Sequence, residues 1–190
     1  MTPLAAALLA QRSYIDAPTI GDADSASRMH VYDGVHVFRG SDDIDSWLHN
    51  FDLKLMDVPG MGNLHAGFWS AWQAIREPCL SLAPPSAIAG HSLGAALAII
   101  CAAEWALLGH VVPVFAFEPP RMCGNETLTH VYRDFAIPFF GTRNGNDIVT
   151  QLPPELMCPS VLTRIGRAQY PFDNIADHGI DDVVRSLQVT

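Results

Sequence analysis

Basic residues are scarce in this chain, and their scarcity argues against partners that need them. The 190 residues include 11 lysines and arginines against 20 aspartates and glutamates, so the formal net charge is −9. Proteins that bind nucleic acid neutralise its phosphates with basic patches, and anionic membrane surfaces attract basic segments in the same way. The composition therefore predicts no nucleic-acid partner and no membrane attachment by charge alone.

Cysteine is equally rare, and its spacing excludes the usual cysteine frameworks. The chain has 4 cysteines, and no two of them form a C-x-x-C pair. Two of them lie in apolar surroundings, where a thiol behaves as a small hydrophobic group. The pattern predicts neither a zinc site nor a disulfide framework. We expect reduced, mostly buried thiols at Cys79, Cys101, Cys123 and Cys158.

Long hydrophobic runs are also missing. No run of about eighteen apolar residues occurs, so we predict no transmembrane span. Residues 1–12 carry a short apolar core without a basic flank, which favours a buried or amphipathic first helix over a signal peptide. With no disulfide framework either, we expect a cytoplasmic protein, with secretion as the open alternative. The 49% hydrophobic content and the lack of repeats or long linkers predict a single domain over residues 1–190.

The most informative stretch is present in residues 85–108. A short apolar run passes through Gly-His-Ser-Leu-Gly at 90–94 and continues as an alanine-rich helix. This strand, G-x-S-x-G turn and helix are typical of a nucleophile elbow, which would hold Ser92 above a helix N-terminus. The positive end of the helix dipole favours a developing oxyanion there. A glycine-rich connection with an N-capping serine is the alternative.

A serine nucleophile needs a base within hydrogen-bond reach, and the base needs an orienting carboxylate. In hydrolases with this elbow the chain order is serine, acid, histidine. Asp147 follows a predicted strand and is our predicted acid; Glu118 also ends a strand and is the alternative. His178, in a late loop entering the last helix, is the predicted base. His91, inside the elbow, is predicted to be structural.

The oxyanion hole and a cover for the site are predicted from two neighbouring segments. The hole should combine the amide of Leu93, which follows the serine, with an amide from an earlier loop, for which we predict Ser41.

Residues 42–51 carry apolar side chains at i, i+3, i+4 and i+7, the pattern of an amphipathic helix. These are Ile44, Trp47, Leu48 and Phe51. The helix either packs permanently on the core or covers the site, and we favour a small or partial lid with short-to-medium acyl substrates.

The alternation of strands and helices from residue 85 onward predicts the fold class. We expect an α/β domain with a mostly parallel central sheet and helices on both faces. A hairpin is predicted around Asp33 and Gly34. A helix is predicted over residues 68–77, stopped by Pro78, and the last helix is predicted to start at His178 with Asp177 as its N-cap.

Six ordered segments resemble the class 3 lipase family, the group of the filamentous-fungal triacylglycerol lipases. They are the elbow at 90–97, the oxyanion loop and lid at 37–48, the segments 65–68 and 117–125, the acid turn at 144–154, and Asp-His at 177–178. The resemblance implies an α/β-hydrolase fold and ester hydrolysis by Ser92, His178 and Asp147. Glu118 departs from the family, which usually has glycine there. The short separation of Asp147 and His178 implies a trimmed C-terminal region and a small acyl-binding surface.

These observations predict a serine carboxylic-ester hydrolase of the lipase or esterase type, which needs no metal and no organic cofactor. Its partner would be a small ester or lipid, with transient contact to a lipid interface. A non-catalytic binding domain on a hydrolase scaffold and a thioesterase or amidase using the same residues stay open as alternatives. The acyl chain length, a phospholipase activity and the oligomeric state are not determined by the sequence.

Overall fold

The computed structural model of the protein describes residues 1–22, 24–41 and 53–189. The described helices are α1 (Pro3–Arg12), α2 (Ala66–Leu80), α3 (Leu93–Leu107), α4 (Thr127–Asp134) and α5 (Ile180–Gln188). The described strands are β1 (Met29–Tyr32), β2 (Val35–Phe38), β3 (Leu55–Val58), β4 (Gly62–His65), β5 (Ala87–His91), β6 (Val114–Phe117), β7 (Phe139–Asn144) and β8 (Thr163–Ile165). Short 3-10 turns occupy Val149–Gln151 and Ala176–His178. The predicted lid at 42–51 lies outside the described residues.

Six of the described strands form the central sheet in the order β1-β2-β5-β6-β7-β8. The β1–β2 pair is antiparallel, and the neighbours from β2 to β8 are parallel. The predicted hairpin closes through Asp33 and Gly34, whose φ angles of 48° and 77° suit a tight primed turn. Strands β3 and β4 form a separate antiparallel pair. The predicted α/β fold with a mostly parallel sheet is confirmed.

Helices cover both faces of this sheet, and strand β5 shows how the sequence achieves it. Successive side chains of a strand point to opposite faces. Ala87 and Ala89 join the apolar layer under α1 and α5, while Ile88 joins the layer under α2, α3 and α4. The first helix therefore packs on the sheet through small residues, as predicted for a buried N-terminal helix. In the described ranges, no helix combines the length and the apolar composition that crossing a bilayer requires.

Helix α3 is the central helix of the larger layer. Every residue from 93 to 106 is buried, including the carboxylate of Glu104. Glu104 is satisfied because the indole N–H of Trp72 donates to its Oε2 at 2.6 Å and Arg76 pairs with its Oε1. A buried charge is tolerated when hydrogen-bonded partners surround it.

The predicted thiols are also found: Cys79, Cys101 and Cys123 are buried and unpaired, and Cys158 is partly buried and unpaired.

The predicted end of helix α2 at Pro78 is wrong. The helix continues through Pro78 to Leu80. A proline lacks one backbone N–H, but here it stands in the last turn, where little of the helix follows it. The turn closes beyond it because the amide of Ser81 donates to the carbonyl of Glu77 at 3.0 Å.

The predicted N-cap of the last helix is also wrong. Gly179, not Asp177, occupies that position. The carboxylate of Asp177 instead accepts from the backbone amides of Asn146 and Gln169 at 2.8 and 3.0 Å. Asp177 is fully buried, and it therefore joins the loop after β7 to the loop before α5.

Candidate active site

The elbow between β5 and α3 has the geometry that its sequence predicts. Ser92 has φ 57° and ψ −127°, a backbone conformation that is unfavourable for a residue with a side chain. A Cβ at Gly90 would lie 2.2 Å from the carbonyl oxygen of Gly94. A Cβ at Gly94 would lie 2.1 Å from the carbonyl oxygen of Phe38. Only glycine fits at both positions, so the two glycines of the motif allow strand, helix and neighbouring strand to meet at the serine.

Ser92, His178 and Asp147 form one hydrogen-bonded chain. The Ser92 hydroxyl lies 2.8 Å from His178 Nε2, and His178 Nδ1 lies 2.9 Å from Asp147 Oδ2. The other oxygen of Asp147 accepts the amide of Val149 at 2.9 Å. Ser92 follows β5, Asp147 lies in the loop after β7, and His178 ends the 3-10 turn before α5. The carboxyl ends of parallel strands meet at one edge of a sheet, which brings these residues together.

This chain can activate the serine. All three side chains are buried, with exposed fractions of 2% for Ser92, 5% for His178 and 0% for Asp147. Nε2 of His178 is placed to accept the hydroxyl proton. The carboxylate holds the imidazole in the tautomer that carries its proton on Nδ1. The arrangement therefore has the parts that nucleophilic catalysis by a serine requires.

The two residues predicted for the oxyanion hole lie beside the serine. Leu93 is the first residue of α3, where backbone amides have no acceptor within the helix. Ser41 and Ser92 line the same cavity, whose volume is about 440 Å³. The loop carrying Ser41 is pressed against the elbow, since a Cβ at Gly40 would lie 3.1 Å from the Cβ of Ser92.

Two side chains that the sequence did not single out hold this oxyanion loop. Arg28 donates to the carbonyl of Gly40 at 3.2 Å, and the backbone of Gly40 also hydrogen-bonds the hydroxyl of Tyr14. Gly40 is therefore held on both sides. Neither Arg28 nor Tyr14 belongs to a recognisable motif, so only the fold reveals their role.

His91 connects the oxyanion loop to the imidazole of His178. Burial raises the pKa of Tyr14 well above its ordinary value, so its hydroxyl keeps the proton and donates to His91 Nδ1 at 2.7 Å. Burial lowers the pKa of His91 to about 3, so the ring is neutral. Its Nε2–H then donates to the carbonyl of His178 at 2.9 Å and to Glu118 Oε2 at 3.1 Å.

Glu118, the alternative acid, lies near the same imidazole but farther away. Its Oε2 is 3.7 Å from His178 Nδ1, compared with 2.9 Å for Asp147 Oδ2. Asp147 is therefore within hydrogen-bond distance and Glu118 is not. Glu118 is fully buried and has φ 54°. Burial raises the pKa of Glu118 well above its ordinary value, and the charge of Asp147 raises it further.

One group among the described residues has the composition of a metal site. The ligand atoms of His91, Glu118 and His178 lie within 4.8 Å of one another. All three side chains already take part in the hydrogen bonds described above. The absence of a cofactor requirement stays a prediction.

The rim of the cavity is only partly described. Residues of the loop before α5 and of its first turns line one side with mixed character; they are Ile175, Ala176, Ile180, Asp181, Asp182 and Arg185. The predicted lid residues Ile44, Trp47, Leu48 and Phe51 lie outside the described residues. Their role as a lid stays a prediction.

Comparison with known proteins gives one family and several relatives. The family model for lipase (class 3) matches residues 35–157. Secreted mono- and diacylglycerol lipase 1 of Fusarium solani is 28% identical over 127 residues, which are 61% of this chain and 38% of that protein. A lipase of Rhizomucor miehei is 28% identical over 134 residues, 62% of this chain and 37% of that protein. In these matches the chain spans less than half the length of its curated relatives.

Solved structures agree on the fold. The Rhizomucor miehei lipase propeptide complex superposes with a TM-score of 0.65 at 17% identity, covering 92% of this chain and 78% of that chain. The mono- and diacylglycerol lipase from Aspergillus oryzae gives a TM-score of 0.57 at 23% identity, covering 80% of this chain and 71% of that chain. At such identities the likeness establishes the α/β-hydrolase fold.

The predicted cytoplasmic location is wrong. The Fusarium relative is named a secreted lipase, which points to an extracellular location. The prediction depended on the cysteine spacing, which indicated no disulfide framework, and on the interpretation of residues 1–12 as a helix. Neither argument determines the compartment, because a domain with a core of this size can be stable without disulfides.

The family match and the site geometry agree with each other. The matched segment begins at the first residue of β2 and includes Ser41, Ser92 and Asp147. His178 lies beyond its end, and the fold returns this residue to hydrogen-bond distance of both Ser92 and Asp147. The chain belongs to the class 3 lipase family.

Proposed function

We propose that this protein is an extracellular serine carboxylic-ester hydrolase that cleaves lipid-type esters with short-to-medium acyl chains. The observation that carries the proposal is the continuous hydrogen-bonded chain from Ser92 through His178 to Asp147 at the wall of a cavity. Family membership supports the reaction class. The names of the relatives, a lipase and a mono- and diacylglycerol lipase, support glycerol esters as the substrate class.

The reaction follows from these positions. The Ser92 oxygen attacks the ester carbonyl carbon while His178 Nε2 takes the hydroxyl proton, and Asp147 stabilises the imidazolium. The amides of Leu93 and Ser41 donate to the oxyanion of the tetrahedral intermediate. Collapse of that intermediate breaks the bond to the alcohol, which leaves with the proton from His178. Water then attacks the acyl-enzyme by the same steps and releases the acid.

The cavity supports a substrate of limited length. Its volume of about 440 Å³ lies toward the small end of ligand sites, which range over roughly 300–1,000 Å³. Asp181, Asp182 and Arg185 stand beside the apolar Ile175 and Ile180 on the described wall. Asp182 pairs with Arg185, and Gln11 donates to Asp181. A long alkyl chain placed against these charges would still displace the water that solvates them, which is unfavourable.

The proposal is tested with a chain-length series of p-nitrophenyl esters on the wild type, Ser92→Ala and His178→Ala. We expect each substitution to lower kcat by about 10³-fold or more, because the three residues act as one unit. Ser70→Ala is the matched control, since Ser70 is exposed on α2, and it should retain wild-type turnover.

Labelling with a fluorophosphonate separates the alternatives. We expect one label per protein in the wild type and none in Ser92→Ala. Near-native ester turnover by folded Ser92→Ala would contradict the proposal. A wild type that takes no label and turns over no ester would indicate a binding domain, and higher kcat/KM on thioesters than on matched esters would indicate a thioesterase.

A further inference from the structure

Two carboxyl groups face a single imidazole nitrogen in this site. Asp147 Oδ2 and Glu118 Oε2 lie 2.9 and 3.7 Å from the same atom, His178 Nδ1. They follow adjacent parallel strands, β7 and β6, so the sheet brings them to the same edge. One carboxylate is sufficient to orient an imidazole. The second carboxyl group has no role in the mechanism derived above.

The surroundings favour a single negative charge on this pair. Both side chains are fully buried, and two carboxylates that share a buried site do not both ionise readily. The charged neighbours that raise the pKa of Glu118 are Asp147, Asp182 and Asp177, after burial itself. The amide of Val149 donates to Oδ1 of Asp147 at 2.9 Å, a hydrogen bond that a carboxylate accepts well.

Contacts within the site hold Glu118 close to the imidazole without letting it compete. The Nε2–H of His91 donates to Glu118 Oε2 at 3.1 Å, which fixes the direction of that oxygen. Glu118 Oε1 lies buried, and the backbone of Asn144 hydrogen-bonds the carboxyl group and lowers its pKa, although burial and the neighbouring aspartates raise that pKa by more. A movement of less than about 1 Å would bring Oε2 within hydrogen-bond distance of His178 Nδ1.

We propose that Glu118 is a second acid for His178, a positioning residue that takes over the negative charge and the hydrogen bond to Nδ1 when Asp147 cannot supply them. The inference rests on the proposed function. Burial and then the charge of Asp147 raise the pKa of Glu118. Loss of the Asp147 charge lowers that pKa, so Glu118 releases its proton to solvent and pairs with the imidazole. The site then tolerates removal of its first acid better than a site with one carboxylate.

The test compares Asp147→Ala with Asp147→Asn. In Asp147→Asn the amide of Val149 still holds Oδ1, so the new NH₂ faces Nδ1, stabilises the wrong imidazole tautomer and blocks Glu118. We expect kcat to fall about 10³- to 10⁴-fold, as such a tautomer change costs in serine hydrolases. Asp147→Ala leaves room for Glu118, and its kcat should exceed that of Asp147→Asn by about tenfold or more.

Removing the second carboxylate should cancel this advantage. Asp147→Ala combined with Glu118→Gln is expected to fall to the level of Asp147→Asn, whereas Glu118→Gln alone should cost about threefold, the effect of one hydrogen bond. Glu77→Gln in the Asp147→Ala background is the matched control, because Glu77 is exposed on α2, and it should change nothing further.

Proton NMR measures the chemical shift of the ring N–H of His178. A purely structural role of Glu118 would leave this chemical shift unchanged. A proton shared between Nδ1 and a carboxylate gives a strongly downfield signal. We expect this signal in the wild type and in Asp147→Ala, and its loss in Asp147→Ala/Glu118→Gln. If Asp147→Ala does not fold, Asp147→Ser replaces it, since the serine hydroxyl can still accept the amide of Val149.

The outcomes separate this inference from the proposed function. Asp147→Ala with a kcat at or below that of Asp147→Asn, or without the downfield signal, would overturn the role of Glu118 while leaving ester hydrolysis intact. A wild type without esterase activity would overturn the proposed function instead. The NMR comparison would then still decide whether Glu118 pairs with His178.

Discussion

Gly40 is the residue on which the oxyanion loop depends. Its carbonyl accepts from Arg28, and its backbone also hydrogen-bonds Tyr14, whose hydroxyl in turn donates to His91 in the elbow. A donor to an oxyanion contributes only when it already points at the position where the charge develops. In the proposed mechanism, the hydrogen bonds of Gly40 therefore hold the neighbouring amide of Ser41 in the position from which it donates to the oxyanion.

Tyr14→Phe tests this dependence. We expect kcat to fall about 3- to 10-fold, the equivalent of one hydrogen bond of 0.5–1.5 kcal/mol. KM should change less, because the loop acts on the transition state. Initial rates on a short p-nitrophenyl ester measure both parameters.

Tyr32→Phe is the matched control for Tyr14→Phe. The Tyr32 hydroxyl donates to Asp16 at 3.2 Å, and Tyr32 does not line the cavity beside Ser92. An equal loss of kcat in the two variants would show that the effect is a general loss of stability. An unchanged kcat in Tyr14→Phe would show that Arg28 alone holds the loop.

Single residues differ in how far the sequence reveals their position. Ser92 was predicted because the G-x-S-x-G turn is local, and Asp147 and His178 were selected from chain order, which the structure brings together within 2.9 Å. The contacts of Tyr14 and Glu118 with His91 join residues 77 and 27 positions apart. No spacing rule covers such pairs, because they arise only when the sheet has formed.

Helices α2 and α3 meet around a buried carboxylate that supports the elbow helix. Glu104 of α3 accepts from Trp72 of α2 and pairs with Arg76, one turn farther along α2. An unpaired oxygen in this position would carry the full cost of its lost hydration. The contact therefore holds α3, and with it the elbow at its N-terminus, against the rest of the layer.

Trp72→Phe should destabilise the fold by about 1–3 kcal/mol, since it leaves a buried carboxylate oxygen without its donor. Urea unfolding monitored by circular dichroism measures the free energy of unfolding. Trp69→Phe, three residues earlier in the same helix, is the control. Trp69 is only partly buried, and its substitution should cost less. A larger loss in Trp69→Phe would mean that ring packing, not the bond to Glu104, stabilises the contact.

The sequence predicts the elements whose pattern is local. It does not predict where the helices α2 and α5 end and begin. The elbow, the Asp33–Gly34 hairpin and the buried first helix follow from turn chemistry and periodicity. Pro78 fails to stop α2, and Asp177 fails to cap α5. Asp177 instead accepts from the amides of Asn146 and Gln169. These tertiary hydrogen bonds outweigh the preference of aspartate for an N-cap, and the local sequence does not indicate them.

For the whole molecule, the sequence predicted the fold class and the family but not the location. The α/β alternation and the six ordered segments are properties of the chain itself, and the parallel sheet confirms them. Whether a protein is exported determines its compartment, and a stable apolar core does not show whether export occurs. The cysteine spacing, which indicated no disulfide framework, therefore gave the wrong indication, and a relative that is named as secreted corrected it.

The response to a lipid surface also belongs to the whole molecule. Opening a complete apolar lid in water would cost roughly 25 cal/mol per Å² of exposed apolar surface. An enzyme with such a lid is therefore active mainly at a lipid interface that buries the apolar face of the open lid. In this chain the predicted lid segment 42–51 is short, and three aspartates stand among its first four residues. With a net charge of −9 as well, the protein should approach an anionic interface poorly.

We therefore expect the rate on tributyrin to rise smoothly and saturate as the concentration crosses the solubility limit, with no sharp increase at saturation. Titration with a fully soluble ester under the same conditions gives the reference curve for simple saturation. An abrupt rise in rate when tributyrin droplets form, absent with the soluble ester, would contradict the partial lid and indicate full interfacial activation. A smooth curve on both substrates would mean that Ser92 is reachable from water, as a cavity of about 440 Å³ beside a small cover would allow.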